Sequence, residues 1–271
     1  MIDCLVFSRD RPMQLDACLR SLAENAPQVR RPVVIYRGTS HAYREGYRIV
    51  RDEHVAALNE ETSFARQVID FLALAHPFVL LLCDDAVTYR PLPDGSLEDA
   101  MADDVLGLNL RLGTNTTYCY PLDSAQPIPD GMTRGQHWVW EWQDAAGDFG
   151  YPYSTDGTVH RRDSLLEWLA GASFTNPNTM EDTIVAAVGR RQGVPQLTAA
   201  YPESVQVGLP FNVVNETHPN RCGKRYGTAD LNERFLSGER IDYTAMDYHS
   251  VCGGHQEIDL VFAAARELAR V

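Results

Sequence analysis

The chain has 271 residues, of which 44% are hydrophobic and 23% are charged, a composition typical of a globular protein with one substantial core. Its 24 lysines and arginines stand against 37 aspartates and glutamates, which gives a formal charge of -13. This acidic balance disfavours broad binding to nucleic acid or to an anionic membrane. A substrate that carries phosphate would therefore need local cations or a metal ion.

The sequence predicts neither secretion nor membrane insertion. No basic stretch followed by a long apolar segment opens the chain, and no run approaches the roughly 20 apolar residues that cross a bilayer. The six cysteines are scattered and form no C-x-x-C pair, so a zinc knuckle or a dithiol redox site is not indicated. We expect a cytoplasmic protein with reduced thiols and no transmembrane segment.

The first 92 residues alternate between strand and helix patterns. Ile2–Phe7 is apolar enough for a buried strand, and Pro12 then opens a helix with apolar residues at i, i+3, i+4 and i+7. A second strand at Pro32–Tyr36, a helix with its apolar stripe over Phe64–Leu72, and a strand at Phe78–Cys83 follow. Strands that are apolar on both faces and alternate with helices indicate a mostly parallel sheet, with ligands at the carboxyl ends of its strands.

The rest of the chain is less regular. Val105–Leu112 is typical of a further strand, whereas Tyr118–Tyr153 is rich in Pro, Gly, Trp and Tyr without clean periodicity. The remaining segments with helical patterns are Ser164–Leu169, Met180–Arg191, Ala229–Leu236 and Glu257–Arg270. Gly238 suits the position just past the end of the third of these helices.

Two adjacent acids, Asp84 and Asp85, follow the buried strand Phe78–Cys83 directly. Carboxylates this close repel each other unless a cation or hydrogen bonds lie between them. Mg²⁺ and Mn²⁺ use a few carboxylates together with substrate phosphates, so the pair suits a nucleotide diphosphate site. Acids are also common in turns, and an aspartate that caps a turn after the strand is the alternative.

The stretch FSRDRPMQLDACLRSL and the later LLLCDDAVTYR resemble GT-A glycosyltransferases of the family 2 kind, from Met1 to about Leu92. The segments LNLRLGTNTTYCYP, GDFGYPYSTDGTVHRR, FTNPNTMED and GGHQEIDLVF extend the resemblance, to a bacterial glycosyltransferase group. It implies an α/β GT-A fold with a mostly parallel central sheet flanked by helices and a C-terminal extension. It also implies a nucleotide-binding half, residues 1–92, and an acceptor-binding half with the extension, residues 93–271, in one domain.

The resemblance further implies which residues meet the donor. The nucleotide-binding positions that match are Ser8, Asp10, Arg11, Arg66 and Asp84. Asp84 and Asp85 match the acidic motif that binds Mn²⁺ or Mg²⁺, although CDDAV departs from D-x-D and leaves open which aspartate touches the metal. Arg66 can equally be a surface residue of its helix.

Three further groups of residues are candidates. Tyr151, Ser154 and Asp156 in GYPYSTDG combine an aromatic surface with hydrogen-bonding groups and suit sugar or acceptor binding, unless they form a Pro/Gly turn. Arg221 and Lys224 suit a clamp for the leaving diphosphate, and a solvated basic loop is the alternative.

His255 resembles the late histidine that completes the metal shell in several GT-A families, although a lone histidine is more often a structural hydrogen-bonding group.

Glu181 and Asp182 resemble the Glu-Asp pair of inverting family 2 enzymes, in which a carboxylate deprotonates the attacking hydroxyl. A catalytic base must come within hydrogen-bond distance of that proton. The alternative is a capping box from Thr179 to Asp182, which would account for Asp182 and leave Glu181 as the freer carboxylate.

Together these features predict a metal-dependent glycosyltransferase that moves a sugar from a UDP- or GDP-linked donor to a carbohydrate or glycoconjugate hydroxyl, in bacterial polysaccharide or glycoconjugate synthesis. A non-catalytic nucleotide-sugar-binding protein with the same fold is the alternative. P-loop and dinucleotide motifs are absent from the sequence. Retention or inversion at the anomeric carbon and the oligomeric state are left open.

Overall fold

The computed structural model describes residues 1–95, 97–215, 217–218 and 220–268. Within them, the strands in chain order are β1 Asp3–Arg9, β2 Val33–Arg37, β3 Ala57–Glu60, β4 Phe78–Cys83, β5 Ala86–Thr88, β6 Val105–Asn109, β7 Tyr118–Cys119, β8 Ser124–Ala125, β9 Gly131–Arg134, β10 His137–Glu141, β11 Thr158–Arg161, β12 Leu197–Ala200, β13 Gln206–Gly208, β14 Glu239–Ile241 and β15 Phe262–Ala264. The helices are α1 Pro12–Asn25, α2 His41–Glu53, α3 Phe64–Leu74, α4 Leu97–Ala100, α5 Arg162–Leu169, α6 Pro177–Arg190, α7 Thr228–Leu236 and α8 Ala265–Leu268.

The described residues build a central sheet of nine strands in the order β3-β2-β1-β4-β11-β6-β12-β10-β9. The strands β1 to β4 pair in parallel, and β12 pairs in parallel with β6. Only β11 and β10 run against their neighbours in this part of the chain. The predicted α/β class with a mostly parallel sheet is confirmed.

Strand β1 shows why the sheet lies at the centre of the protein. Its side chains alternate between two apolar clusters, with Cys4 and Val6 in the first. Leu5 and Phe7 lie in the second, on the other face of the sheet. Helix α1 packs in the first cluster and α3 in the second, so both faces are covered. Each fully buried apolar side chain contributes about 1.5–3 kcal/mol, which fixes the register of the strand.

The loop from β1 to α1 is held beside the end of β2. Asp10 adopts a left-handed backbone with φ 55°, a conformation that aspartate tolerates better than most residues. Its carboxylate accepts hydrogen bonds from the amide and the hydroxyl of Thr39, at 2.7 and 2.9 Å. Pro12 then occupies the start of α1, where its missing N–H costs nothing. This turn places Arg11 at the carboxyl edge of the sheet.

The predicted closing helix over Glu257–Arg270 is wrong. Residues 257–261 have no helical structure, a strand follows at Phe262–Ala264, and the helix α8 covers four residues only. Ile258 and Leu260 are buried while their neighbours Glu257, Asp259 and Val261 are exposed, which is the two-residue period of an extended chain. Arg270 lies outside the described residues.

Other expectations differ in detail. Helix α2 and strand β3 lie in the polar stretch after β2, where no element was predicted, and the irregular middle region contains the paired strands β9 and β10. Gly238 follows α7 with φ +94°, as expected for a helix end.

The division into residues 1–92 and 93–271 stays a prediction, and β5 and β13 pair across it. No helix in the described part of the chain is both long enough and apolar enough to cross a membrane.

Candidate functional site

The acid pair lies at the carboxyl end of β4, next to the end of β1. Asp84 is 2% exposed, and its Oδ2 accepts a hydrogen bond of 2.8 Å from Ser8 Oγ. Arg11 Nη1 lies 3.0 Å from Asp84 Oδ1 and 2.9 Å from Asp85 Oδ2. The cation that two adjacent carboxylates require is therefore the Arg11 guanidinium.

The other nitrogens of the Arg11 side chain bind Asn212, which lies far along the chain. Its Nε donates to Asn212 Oδ1 at 2.7 Å, and its Nη2 donates to the Asn212 carbonyl oxygen. Asn212 Nδ2 in turn donates to the Tyr226 carbonyl oxygen at 3.1 Å. Beside Asp85, a cavity of about 10 Å³ separates α1 from Leu209 and Phe211, which is room for about one water molecule. Residues 209–212 thus close over the acid pair.

The charges of this cluster do not balance. Burial raises the pKa of Asp84, an effect that the charge of Arg11 opposes. Burial alone would lower the pKa of Arg11, but the charges of Asp85 and Asp84 raise it above its ordinary value, so the guanidinium stays protonated. One guanidinium between two carboxylates leaves one negative charge when both acids are ionised. The cluster can accept further positive charge.

A second cluster adjoins the first through Asp156. The backbone amide of Cys83 donates to Asp156 Oδ1 at 3.2 Å, and Asp156 Oδ2 lies 3.4 Å from Arg111 Nη1 and 3.3 Å from His255 Nε2. Burial would raise the pKa of Asp156, but Arg111 and His255 lower it to about 2. Ser154 Oγ accepts from Arg111 Nη2 at 2.9 Å. The predicted sugar-binding residues Ser154 and Asp156 therefore make these internal contacts.

Arg111 was not among the predicted site residues. It is 6% exposed, and its Nε donates to the Asp156 carbonyl oxygen at 2.6 Å. The chain makes room for it at Gly157, where φ is +74° and a Cβ would lie 2.7 Å from Arg111 Cγ. The available signal was its position two residues after β6, because the carboxyl end of that strand lies on the same edge as those of β1 and β4.

Of the two predicted catalytic carboxylates, Glu181 is held by its neighbours. Glu181 Oε2 accepts from the amide and the hydroxyl of Thr155, at 2.7 and 2.8 Å, and Oε1 accepts from Tyr151 Oη at 3.0 Å. Burial raises the pKa of Glu181 despite these hydrogen bonds. Since Thr155 precedes Asp156, these contacts attach the first turns of α6 to the acid clusters.

Asp182 is the freer of the two, which reverses the expectation from the capping box. The predicted box from Thr179 to Asp182 is wrong, because α6 begins at Pro177 and its cap is formed by Asn176 and Thr179. The side chain of Asp182 is 56% exposed and lies 3.0 Å from His218 Nε2. Tyr151 is also exposed, at 46%, whereas Tyr153 is buried beside His160. Asp182 and Tyr151 thus present a carboxylate and an aromatic ring to solvent near one another.

Three predicted cations make no hydrogen bond or ion pair with the acid pair among the described residues. Arg66 is on the exposed face of α3, ion-paired with Asp70 at 2.8 Å. Arg221 packs on the Tyr120 ring, 4.2 Å from its centroid, and pairs with Asp123 at 3.0 Å. Lys224 is exposed and makes no contact that the described residues show. No described contact joins any of them to Arg11 or Asp84, and their roles stay predictions.

The predicted metal ligands are only partly brought together. Arg111 Nη1 lies 3.0 Å from His255 Nδ1 and 2.8 Å from Nε2, so both ring nitrogens of His255 are engaged by protein groups. Among the described residues, no three His, Cys, Asp or Glu side chains are grouped to hold a metal ion. The metal role of His255 stays a prediction. Asp84 and Asp85 do fit a cation, because the Arg11 nitrogen already stands between their oxygens.

No protein-family model matches the chain, and no curated protein matches it significantly. Among solved structures, it is similar to S. aureus TarS 1-349, with 14% identity over 75% of this chain and 58% of that one, and a TM-score of 0.41. It is also similar to the mannosyltransferase PcManGT from Pyrobaculum calidifontis, solved with GDP-Man and Mn²⁺, with 10% identity over 69% and 51% of the chains and a TM-score of 0.37.

A third similar structure is glucosyl-3-phosphoglycerate synthase from Mycobacterium tuberculosis, solved with Mn²⁺, UDP-Glc and phosphoglyceric acid. It shares 12% identity over 99% of this chain and 91% of that one, with a TM-score of 0.44. The chain spans only about half to three fifths of the TarS fragment and of PcManGT. These identities and TM-scores describe a similarity of fold and assign no activity to this chain.

Proposed function

We propose that the protein is a metal-dependent glycosyltransferase that moves a sugar from a UDP- or GDP-linked donor to a carbohydrate or glycoconjugate hydroxyl. The observation that carries this proposal is the pair Asp84 and Asp85 at the carboxyl edge of a mostly parallel sheet, beside Ser8 and Arg11. Ligands of such sheets bind at that edge. When both acids are ionised, the pair retains one negative charge beside Arg11, which suits a site completed by a cation and a diphosphate.

Asp84 and Asp85 are the residues that would hold Mg²⁺ or Mn²⁺. These ions take oxygen ligands, and Mg²⁺ in particular is commonly held by one or two carboxylates together with substrate phosphates. Two protein ligands are therefore sufficient when the diphosphate supplies others. When bound, the cation neutralises charge on the departing nucleoside diphosphate. Asp85 is the more accessible of the two acids, with a side chain that is 15% exposed against 3% for Asp84.

We assign the catalytic base to Asp182. Three hydrogen bonds from Thr155 and Tyr151 use both carboxylate oxygens of Glu181, which leaves it little capacity to accept a proton from an acceptor hydroxyl. Asp182 is exposed, and His218 holds one of its oxygens. Glu181 is then a positioning residue, which attaches the start of α6 to Thr155 and Tyr151.

We place the acceptor against the exposed ring of Tyr151. An aromatic face with a hydrogen-bonding tip suits the mixed apolar and polar surface of a sugar. Tyr151 donates a hydrogen bond to Glu181, the neighbour of Asp182 in the chain. An acceptor packed on the Tyr151 ring would therefore present a hydroxyl toward Asp182. Ser154 and Asp156 follow Tyr151 in the same segment, and their contacts with Arg111 hold that segment in place.

The test is release of free nucleoside diphosphate from UDP- and GDP-sugars in the presence of Mn²⁺, with and without sugar acceptors. We expect release from at least one donor and none from Asp85→Asn at equal protein concentration. Donor binding without release under every acceptor condition would instead indicate a binding protein with the same fold. Absence of both binding and release across the donor panel would refute the proposal.

A further inference from the structure

We infer that Arg11 is an internal counter-ion of the acid pair, which a divalent cation must displace and which then pairs with the diphosphate of the donor. The inference rests on the proposed function and concerns how the same site is loaded. It predicts that the metal and the nucleotide bind weakly when alone and tightly when together.

The position of Arg11 carries the first step. Its Nη1 lies within 3.0 Å of both Asp84 and Asp85, which is the place that a metal bound to both carboxylates would occupy. Metal–oxygen bonds of about 2.0–2.1 Å leave no space for a guanidinium nitrogen between the same oxygens. A cation and Arg11 therefore compete for the pair.

The second step is that the charges of the cluster disfavour the binding of either ligand alone. With Arg11 in place, a cation that approaches Asp84 and Asp85 meets a guanidinium at hydrogen-bond distance from both, and like charges repel strongly where side chains are buried. A diphosphate that arrives without a metal meets the remaining negative charge of the acid pair. A cation alone is therefore repelled by Arg11 and a diphosphate alone by the acid pair, whereas the two ligands together carry opposite charges that attract each other.

The third step concerns the partner that Arg11 takes once a cation has displaced it. Arg11 is 7% exposed, and a displaced guanidinium that stayed buried without a partner would strongly destabilise the protein. Two oxygens of a diphosphate can accept two parallel hydrogen bonds from a guanidinium, which makes the diphosphate a strong bidentate partner. Exchange of partners from carboxylates to diphosphate therefore keeps Arg11 paired throughout.

The exchange also has to release Asn212. Arg11 Nε and Nη2 both donate to this residue, and the cavity beside Asp85 is only about 10 Å³. A ligand site for a molecule of nucleotide size needs several hundred Å³. Movement of Arg11 off the acid pair and withdrawal of residues 209–212 are thus parts of one event.

The experiment measures Mn²⁺ affinity by the electron paramagnetic resonance signal of free Mn²⁺, for Mn²⁺ alone and with saturating UDP or GDP. For the native protein we expect weak binding of Mn²⁺ alone, tightened by UDP or GDP within the 5- to 150-fold range, roughly, that is common for coupled sites. In Arg11→Met, we expect Mn²⁺ alone to bind about tenfold more tightly and the gain from nucleotide to shrink.

Two further variants and one control keep the result interpretable. Arg11→Lys keeps a cation without the forked geometry and should fall between the native protein and Arg11→Met. Asn212→Ala frees the guanidinium from the covering segment and should raise the affinity for Mn²⁺ alone by a smaller factor, even if Arg11→Met does not fold. Arg20→Met removes another arginine of α1, one that pairs with Asp16, and should leave Mn²⁺ affinity unchanged.

Equal Mn²⁺ affinity in the native protein, Arg11→Met and Asn212→Ala would overturn the inference. So would native Mn²⁺ binding that is as tight alone as with nucleotide. If no nucleotide binds any variant while Arg11→Met still gains Mn²⁺ affinity, Arg11 is confirmed as counter-ion and the proposed glycosyl transfer fails instead.

Discussion

Two buried clusters of charges lie along helix α1, and the two clusters differ in their balance. About one turn into the helix, Asp16 is 1% exposed and accepts hydrogen bonds from Arg20 and from His54 Nε2, the latter at 2.8 Å. Arg240 Nε lies 3.9 Å from the same carboxylate. Just before the N-terminus of α1, a single guanidinium, Arg11, serves two carboxylates.

The difference separates a structural cluster from a functional one. Around Asp16, both carboxylate oxygens have partners and the donors outnumber the acids, so the group has no demand for an outside ion. It joins α1 to the C-terminal region, since Arg20 also donates to the Ile241 carbonyl oxygen at 2.6 Å. The Arg11 cluster lies at the carboxyl edge of the sheet and is short of positive charge when both of its acids are ionised. We expect ligands at the second cluster only.

The largest effect is expected at Glu181 and Asp182, where we again separate a structural carboxylate from a functional one. Asp182→Asn should lower kcat by about 10² to 10⁴, because it removes the base that accepts the acceptor proton. Glu181→Gln should chiefly lower the melting temperature, since Glu181 holds Thr155 and Tyr151. Steady-state kinetics and thermal unfolding of both variants make the measurement. If both transfer sugar at the native rate, neither carboxylate is a base, and a retaining mechanism becomes the better hypothesis.

The second prediction concerns the balanced cluster. Asp16→Asn should lower the free energy of unfolding by about 3–5 kcal/mol, because it leaves buried cations without their carboxylate. Burial opposes ionisation of Asp16, but the hydrogen bond from His54 and the charge of Arg20 lower its pKa. Urea unfolding gives the measurement at neutral pH. Nucleotide affinity of the folded variant should be unchanged, and a selective loss of affinity would show that the two clusters do not differ in role.

The third prediction uses a buried histidine outside both clusters. Burial lowers the pKa of His160 from 6.5 to about 4. The unfolded chain therefore takes up a proton at higher pH than the folded one does, so this contribution to stability is complete above pH 6.5 and is lost as the pH falls toward 4. The loss amounts to about 3 kcal/mol. His160→Gln should flatten this part of the stability profile, whereas replacement of the exposed His249 should leave the slope intact.

The smallest effect is expected for Arg66, at a surface pair. Its side chain is 76% exposed, so loss of the ion pair with Asp70 in Arg66→Ala should change stability by no more than about 0.5 kcal/mol. We expect nucleotide affinity to stay within about twofold of the native value. A tenfold loss of UDP or GDP affinity would restore Arg66 to the nucleotide site and would extend the functional region beyond the end of α1.

Much of the first half of the fold follows from the sequence, because its apolar periods are clear. The strand Phe78–Cys83 is predicted to the residue, and the acid pair at its end follows from it. The predicted closing helix is wrong because Ile258 and Leu260 are buried with a period of two, which is the pattern of an extended chain. A local pattern was therefore enough to place Asp84 and Asp85 at the carboxyl edge of the sheet.

The rest of the site depends on contacts between distant residues, which a single sequence does not reveal. Arg11 meets Asn212 across 201 positions, and Arg111 meets His255 across 144. The same limit explains why a cation for Asp84 and Asp85 was expected from outside the chain. The sequence shows that two adjacent acids need a positive charge, and only the folded chain shows that Arg11 supplies part of it.

The central claim is that the under-compensated cluster at the start of α1 is the nucleotide and metal site. Its most direct test is isothermal titration of UDP and GDP into the native protein and Asp85→Asn, each with Mn²⁺ and with EDTA. We predict binding of one nucleotide to the native protein with Mn²⁺, and at least about tenfold weaker binding both in EDTA and in Asp85→Asn. Nucleotide binding that is indifferent to EDTA and to Asp85→Asn would contradict the account.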